Sequence, residues 1–135
     1  MVHGWWVETG VAGMSSTFKD LEVWQQAMEL ADAVYRTSRG FPKEELFSLT
    51  SQARRAAISI PSNIAEGSGR RSDHEFVHFL SIANGSLREL ETQMLIASRI
   101  GYLEPTQLEP LQQKMDTVGR LLTGLRKAIQ SRAAG

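Results

Sequence analysis

Four stretches of apolar residues spaced three and four apart constrain the fold of this chain more than any other feature. Such spacing places the apolar side chains on one face of an α-helix. The third stretch shows the pattern most clearly: Phe76, Leu80, Ala83, Leu87, Leu90, Met94 and Ala97. Short breaks at Gly40, Gly67 and Gly101 let each helix turn back only onto its neighbour. We therefore predict an all-α fold, an antiparallel up-down-up-down four-helix bundle.

The chain has 135 residues, which is the usual size of one domain. Residues 1–17 show neither a helical nor an alternating pattern, so we expect a flexible N-terminal extension. The bundle is expected over residues 18–132, followed by a short tail at 133–135. Gly67 is a natural terminator for the second helix. Ser72 and Glu75 are spaced to form a capping box that opens the third helix.

Composition and charge remove several classes of function. There is no cysteine, which excludes a disulfide framework and a thiolate metal site. Lys+Arg and Asp+Glu both number 15, so any nucleic-acid contact must come from a local basic patch. Neither a signal-peptide pattern nor an apolar run of membrane-spanning length is present. We expect a cytoplasmic protein that makes no membrane contact.

The string HEFVH at His74–His78 matches the H-E-x-x-H pattern of zinc hydrolases. Its extended form requires histidine at position 84, where this chain has Asn84. The remaining candidates for a third ligand are Glu104 and Glu109. Glu75, which a hydrolase would need as the base that activates a bound water, already has a role in the capping box. We interpret the string as a solvated first helical turn and expect no catalytic residue, no metal site and no cofactor.

Basic residues gather in the second helix, in the turn after it and near the end of the chain, where no acid follows Asp116. They can contact phosphate groups, or they can serve only to complement helix C-termini and keep the surface soluble. An oligomer would multiply a weak patch into a continuous basic surface. The candidate nucleic-acid-binding residues are Arg54, Arg55, Arg70, Arg71, Arg126 and Lys127.

Polar residues also lie on or near the apolar stripes of the second and third helices. Buried polar groups need hydrogen-bond partners, so we predict a network that fixes the register of the helices. A lined pocket or a subunit contact is the alternative. The predicted structural network comprises Gln52, Asn63, Glu66, Ser86 and Glu89.

Three segments carry a resemblance to a known family: FKDLEVWQ at 18–25, QARRAAISIPSNIAEG at 52–67 and SLRELETQ at 86–93. Together they resemble the four-helix-bundle family of the 23S rRNA intervening-sequence protein. The resemblance implies an antiparallel bundle assembled as a homopentamer. A related branch comprises accessory proteins of diversity-generating retroelements, which bind reverse transcriptase and nucleic acid. The partners implied are copies of this chain, RNA or DNA, and a further protein.

Our hypothesis from the sequence is a non-enzymatic homo-oligomer that binds RNA through its arginine patches. Second apolar faces on the helices, such as the one carrying Ile82, Ile96 and Ile100, would drive assembly. A protein-binding scaffold and a zinc-dependent hydrolase using the HEFVH string are the alternatives.

Overall fold

The computed structural model describes residues 17–134, and the predicted all-α, four-helix architecture is confirmed there. Over this range it contains four α-helices, two short 3-10 turns and no strand. The helices are α1 (Glu22–Ser38), α2 (Leu49–Ser68), α3 (Asp73–Arg99) and α4 (Pro105–Ala134), and the 3-10 turns are Phe18–Asp20 and Lys43–Glu45. The predicted N-terminal extension lies, apart from Thr17, outside the described residues.

The helices are arranged as a square in which each packs against the next. Helix α2 packs on α1 and α3, and α4 closes the square by packing on α3 and α1. Gly67 near the end of α2 lies against Phe76 near the start of α3, while Arg132 near the end of α4 contacts Asp73 at the start of α3. Because such pairs join the end of one helix to the beginning of another, neighbouring helices run antiparallel. The apolar stripe of α3 that the sequence predicts is buried throughout.

The start of α3 is only partly as predicted. Ser72 Oγ accepts a hydrogen bond from the backbone N–H of Glu75 at 3.1 Å, as an N-cap should. The Glu75 carboxylate, however, accepts from the Ser72 hydroxyl at 3.2 Å and not from the Ser72 backbone. The complete capping box lies elsewhere, around the first 3-10 turn. There the Thr17 hydroxyl accepts from the backbone N–H of Lys19, and the Asp20 carboxylate accepts from the backbone N–H of Thr17.

The prediction that Gly67 terminates the second helix is wrong. Helix α2 continues to Ser68, with Pro61 and Gly67 both inside it and both buried. Gly67 is instead a packing residue, because a β-carbon there would meet the side chains of Phe76 and Phe79. Gly101, by contrast, does follow the end of a helix with a backbone that favours glycine, at φ 90°.

Among the described residues no helix combines the length and the apolar character that crossing a bilayer requires.

Candidate nucleic-acid interface

Three cationic side chains converge on an open groove between α3 and α4. We call it the α3–α4 groove, and its volume is about 550 Å³. Arg88 contributes from α3, and all other lining residues come from α4: Asp116, Gly119, Arg120, Thr123, Gly124 and Lys127. The groove thus holds three cations and one carboxylate.

The helical repeat explains why these cations share one face. Arg120 and Lys127 are seven residues apart, which is two turns of helix and about 10 Å along its axis. Arg88 approaches from α3 because Gly119 is buried and has no side chain. A β-carbon on Gly119 would lie 3.2 Å from Arg88 Nη2 and 3.4 Å from Leu87 Cδ2. Glycine at this position therefore makes room for the guanidinium group.

The carboxylate that lines the groove and the one that pairs with Arg88 lie at the same end of it, while Asp20 and Glu22 line a neighbouring groove that shares Arg120 and Gly124. Glu91 forms a 2.8 Å ion pair with Arg88, and Asp116 lies on the opposite wall. Beyond Asp116 the rest of α4 has no acidic residue, and α3 has none between Glu75 and Glu89. The groove therefore becomes more positive towards Lys127. A surface with an excess of positive charge attracts phosphate groups.

Two of the six predicted nucleic-acid-binding residues belong to this region. Lys127 lines the groove, and Arg126 beside it places Nη1 3.5 Å from Ser81 Oγ of α3. Arg120 and Arg88 complete the cluster; Arg120 belongs to the basic stretch predicted near the end of the chain but is not one of the six candidates, and Arg88 was not predicted as a binding residue. The seven-residue spacing of Arg120 and Lys127 places both on one face of a helix, and this sequence signal could have added Arg120 to the candidates. No sequence signal places Arg88 against α4, because that contact depends on how the two helices are rotated.

Arg54 and Arg55 lie on α2 in very different surroundings. Arg54 donates from Nε to Ser38 Oγ at 2.8 Å and from Nη2 to the Tyr35 carbonyl at 3.4 Å. Its guanidinium also lies 4.7 Å from the centre of the Tyr35 ring. Arg54 thus holds the C-terminal end of α1. Arg55 is exposed and makes neither a hydrogen bond nor an ion pair within residues 17–134.

Arg70 and Arg71 lie in the turn after α2, at the opposite end of that helix. Arg70 pairs with Glu66 at 3.4 Å and lies over the Phe79 ring at 4.7 Å. Arg71 is exposed. Arg54 and Ser68 are 14 residues apart on one helix, which corresponds to about 21 Å. The structure therefore does not bring the arginines of α2 and of its turn into one patch.

Two of the five residues of the predicted polar network, Asn63 and Ser86, meet at Ser59. Ser59 Oγ lies 2.8 Å from Ser86 Oγ, and Asn63 Nδ2 donates to the carbonyl and hydroxyl of Ser59 at 2.8 and 2.9 Å. Glu66 binds Arg70 instead, whereas Gln52 and Glu89 are exposed and their side chains make no hydrogen bond in the described part of the chain. Ser59 was not predicted, although its spacing of four from Asn63 is a usable signal.

The two histidines of the HEFVH string are exposed at the start of α3. His78 makes an edge contact with the Phe79 ring, with 5.7 Å between ring centres. Residues 17–134 contain no cluster of three or more histidine, aspartate or glutamate side chains able to hold a metal ion. His74 and His78 thus receive no third ligand from this part of the chain.

Comparison with known proteins identifies the family and the fold of this chain. Residues 19–124 match the family model described as 23S rRNA-intervening sequence protein. A solved structure of a protein of unknown function from the S23 ribosomal protein family of Bacteroides thetaiotaomicron superposes with a TM-score of 0.72. It is 24% identical, and the alignment covers 78% of this chain and 95% of that one, a likeness that shows the shared fold. No curated protein sequence matches. Since the family model spans most of the sequence, the chain belongs to the 23S rRNA-intervening sequence protein family.

Proposed function

We propose that this protein is a non-enzymatic homo-oligomer that binds structured RNA through the α3–α4 groove. The observation that carries the proposal is the convergence of Arg88, Arg120 and Lys127 from two helices on one open surface. Phosphate groups are held by such cations, and arginine is especially suited to them because it offers several N–H donors in one plane.

Other features of the groove suit a nucleic-acid backbone. Gly124 is exposed, and a β-carbon there would meet no atom within 4 Å, so a ligand can approach the helix closely. Thr123 adds a hydroxyl group to the lining. Ser81 and Asn84 lie on the same face of α3 as Arg88, at helical spacings of seven and four. Neutral hydrogen-bonding groups of this kind supplement the cations in phosphate and sugar contacts.

Exposed apolar side chains support self-assembly. Met28 of α1 and Ile58 of α2 line an apolar groove with Trp24, and both are exposed by two-fifths or more. A separate set at the C-terminal end of α3 includes Ile96 and, directly after the helix, Ile100, which is 53% exposed. Two different apolar patches on one chain allow a heterologous contact, which closes into a ring when the rotation is suitable. A pentameric ring would place five basic grooves on one particle, so that several weak contacts could act together.

The test is RNA binding by a charge-removal pair and a matched control. Arg120→Gln combined with Lys127→Gln removes two groove cations, whereas Arg36→Gln with Arg39→Gln removes two exposed cations near the end of α1. In fluorescence anisotropy with a labelled RNA hairpin, we expect the groove pair to weaken binding at least tenfold and the control pair to change it by less than about twofold. Equal losses in both would reject the groove as the binding surface.

A protein-binding scaffold is the second candidate, favoured by one observation. Phe47 is 92% exposed in the connection between α1 and α2, beside the exposed Leu46. Exposed aromatic residues are enriched where proteins bind each other. This function would be favoured if Phe47→Ser abolished capture of a protein partner while groove variants left that capture intact.

A further inference from the structure

A line of hydrogen bonds connects Arg88 to α4. Arg88 Nη1 donates to Glu91 Oε1 at 2.8 Å, and the other oxygen of Glu91 accepts from Gln112 Nε2 at 2.6 Å. The same Gln112 nitrogen lies 3.2 Å from Asp116 Oδ1. A side-chain amide nitrogen carries two hydrogens, so Gln112 can donate to both carboxylates at once.

This arrangement holds one nitrogen of the guanidinium and leaves the rest of the group accessible. The Arg88 side chain is 58% exposed, while Glu91 is 23% exposed and Gln112 is half-buried. Gly119 lies beside the guanidinium and leaves open the space that the group occupies. A free arginine would lose rotamer freedom on binding a ligand, and a group that is already fixed loses less.

We infer that Gln112 and Glu91 are positioning residues that fix Arg88 in advance for contact with RNA phosphate. Gln112 carries no charge and lies outside the groove lining, so charge patterns alone would not select it. The inference rests on the proposed function of the α3–α4 groove and specifies which residues give it a defined geometry.

Gln112→Leu tests the inference because it removes the hydrogen bonds and keeps every charge of the groove. Gln113→Leu is the matched control, since Gln113 is the exposed neighbour and its side chain makes no hydrogen bond among residues 17–134. We expect Gln112→Leu to weaken binding of a labelled RNA hairpin by about three- to tenfold. The slope of affinity against salt should stay unchanged, because the number of phosphate contacts is unchanged. Gln113→Leu should bind as the wild type does.

A second readout does not depend on RNA. In 15N NMR relaxation of arginine side chains, the Arg88 Nε–H should be ordered in the wild type and mobile in Gln112→Leu. Gly119→Ala should shift this signal independently, since its β-carbon requires the guanidinium to move. Unchanged Arg88 order and unchanged affinity in Gln112→Leu would overturn the inference. Loss of Arg88 order in a protein that never binds RNA would uphold the positioning contact and reject the proposed function.

Discussion

A β-carbon on Gly67 would lie 2.6 Å from the β-carbon of Phe79, closer than two side chains can approach. It would also lie 3.0 Å from Cδ1 of Phe76, which is buried in the core. Glycine at this position therefore sets how closely α2 and α3 pack near their connecting turn. We expect Gly67→Ala to lower the free energy of unfolding by about 1–3 kcal/mol, measured by chemical denaturation.

Gly69→Ala is the control for that substitution. Its β-carbon would have the Glu66 carbonyl oxygen as its nearest neighbour at 3.7 Å, an ordinary contact. The φ angle of Gly69 is −88°, which alanine adopts readily. The free energy of unfolding should change by less than about 0.5 kcal/mol. A similar loss for both variants would contradict the packing role of Gly67.

The neighbouring residues Arg54 and Arg55 should differ sharply in their effect on stability. Arg54→Met removes hydrogen bonds to Ser38 and to the Tyr35 carbonyl, together with the contact over the Tyr35 ring. We expect a loss of about 1–2 kcal/mol in the free energy of unfolding. Arg55→Met should cost less than about 0.5 kcal/mol because Arg55 is exposed. Equal costs in urea denaturation would show that the contacts of Arg54 contribute nothing.

The contact between Tyr102 and Glu45 should make stability depend on pH. The Ser48 hydroxyl and then the Tyr102 hydroxyl, each donating to Glu45, lower the pKa of that carboxyl from its ordinary 4.5. A lowered folded-state pKa stabilises the protein above pH 4.5, and that contribution is lost as the pH falls through the folded pKa. The hydrogen bond to Glu45 also raises the pKa of Tyr102, a contribution that is lost as the pH rises above 10.

Tyr102→Phe tests this dependence. The variant should have a lower Tm than the wild type near neutral pH, and the difference should shrink in acid as Glu45 becomes protonated. Thermal unfolding followed by circular dichroism from pH 3 to pH 8 measures both. A Tm difference that is constant across this range would mean that the ionised carboxylate is not the partner that matters.

Assembly should depend on the exposed apolar side chains. Ile58→Glu and Ile96→Glu each introduce a charge into a different apolar patch, and burying an unpaired charge in an interface is costly. We expect the wild type to be an oligomer at micromolar concentration and each variant to have a smaller mass in light scattering. Gln130→Glu, on an exposed position of α4, should leave the mass unchanged. A monomeric wild type would reject the assembly.

The fold was predictable because apolar periodicity reports helix faces directly, and Phe76, Leu80 and Leu87 are buried where that pattern placed them. The role of Gly67 was not, since a packing glycine and a terminating glycine look alike in a sequence. Arg54 and Arg55 also look equivalent in the sequence, but consecutive residues of a helix are rotated by about 100° around its axis, so the two side chains have different surroundings. The pairing of Arg88 with Gly119 depends on the rotation of two helices, which periodicity does not specify finely enough.

The central claim is that a basic groove binds the RNA backbone, and the salt dependence of affinity tests it most directly. Each phosphate contact contributes roughly −0.7 to −0.9 to the slope of log affinity against log salt. Contacts through Arg88, Arg120 and Lys127 therefore predict a slope of about −2 to −3 for each engaged subunit in anisotropy titrations with an RNA hairpin. Binding that is absent, or that does not weaken as salt is raised, would contradict the account.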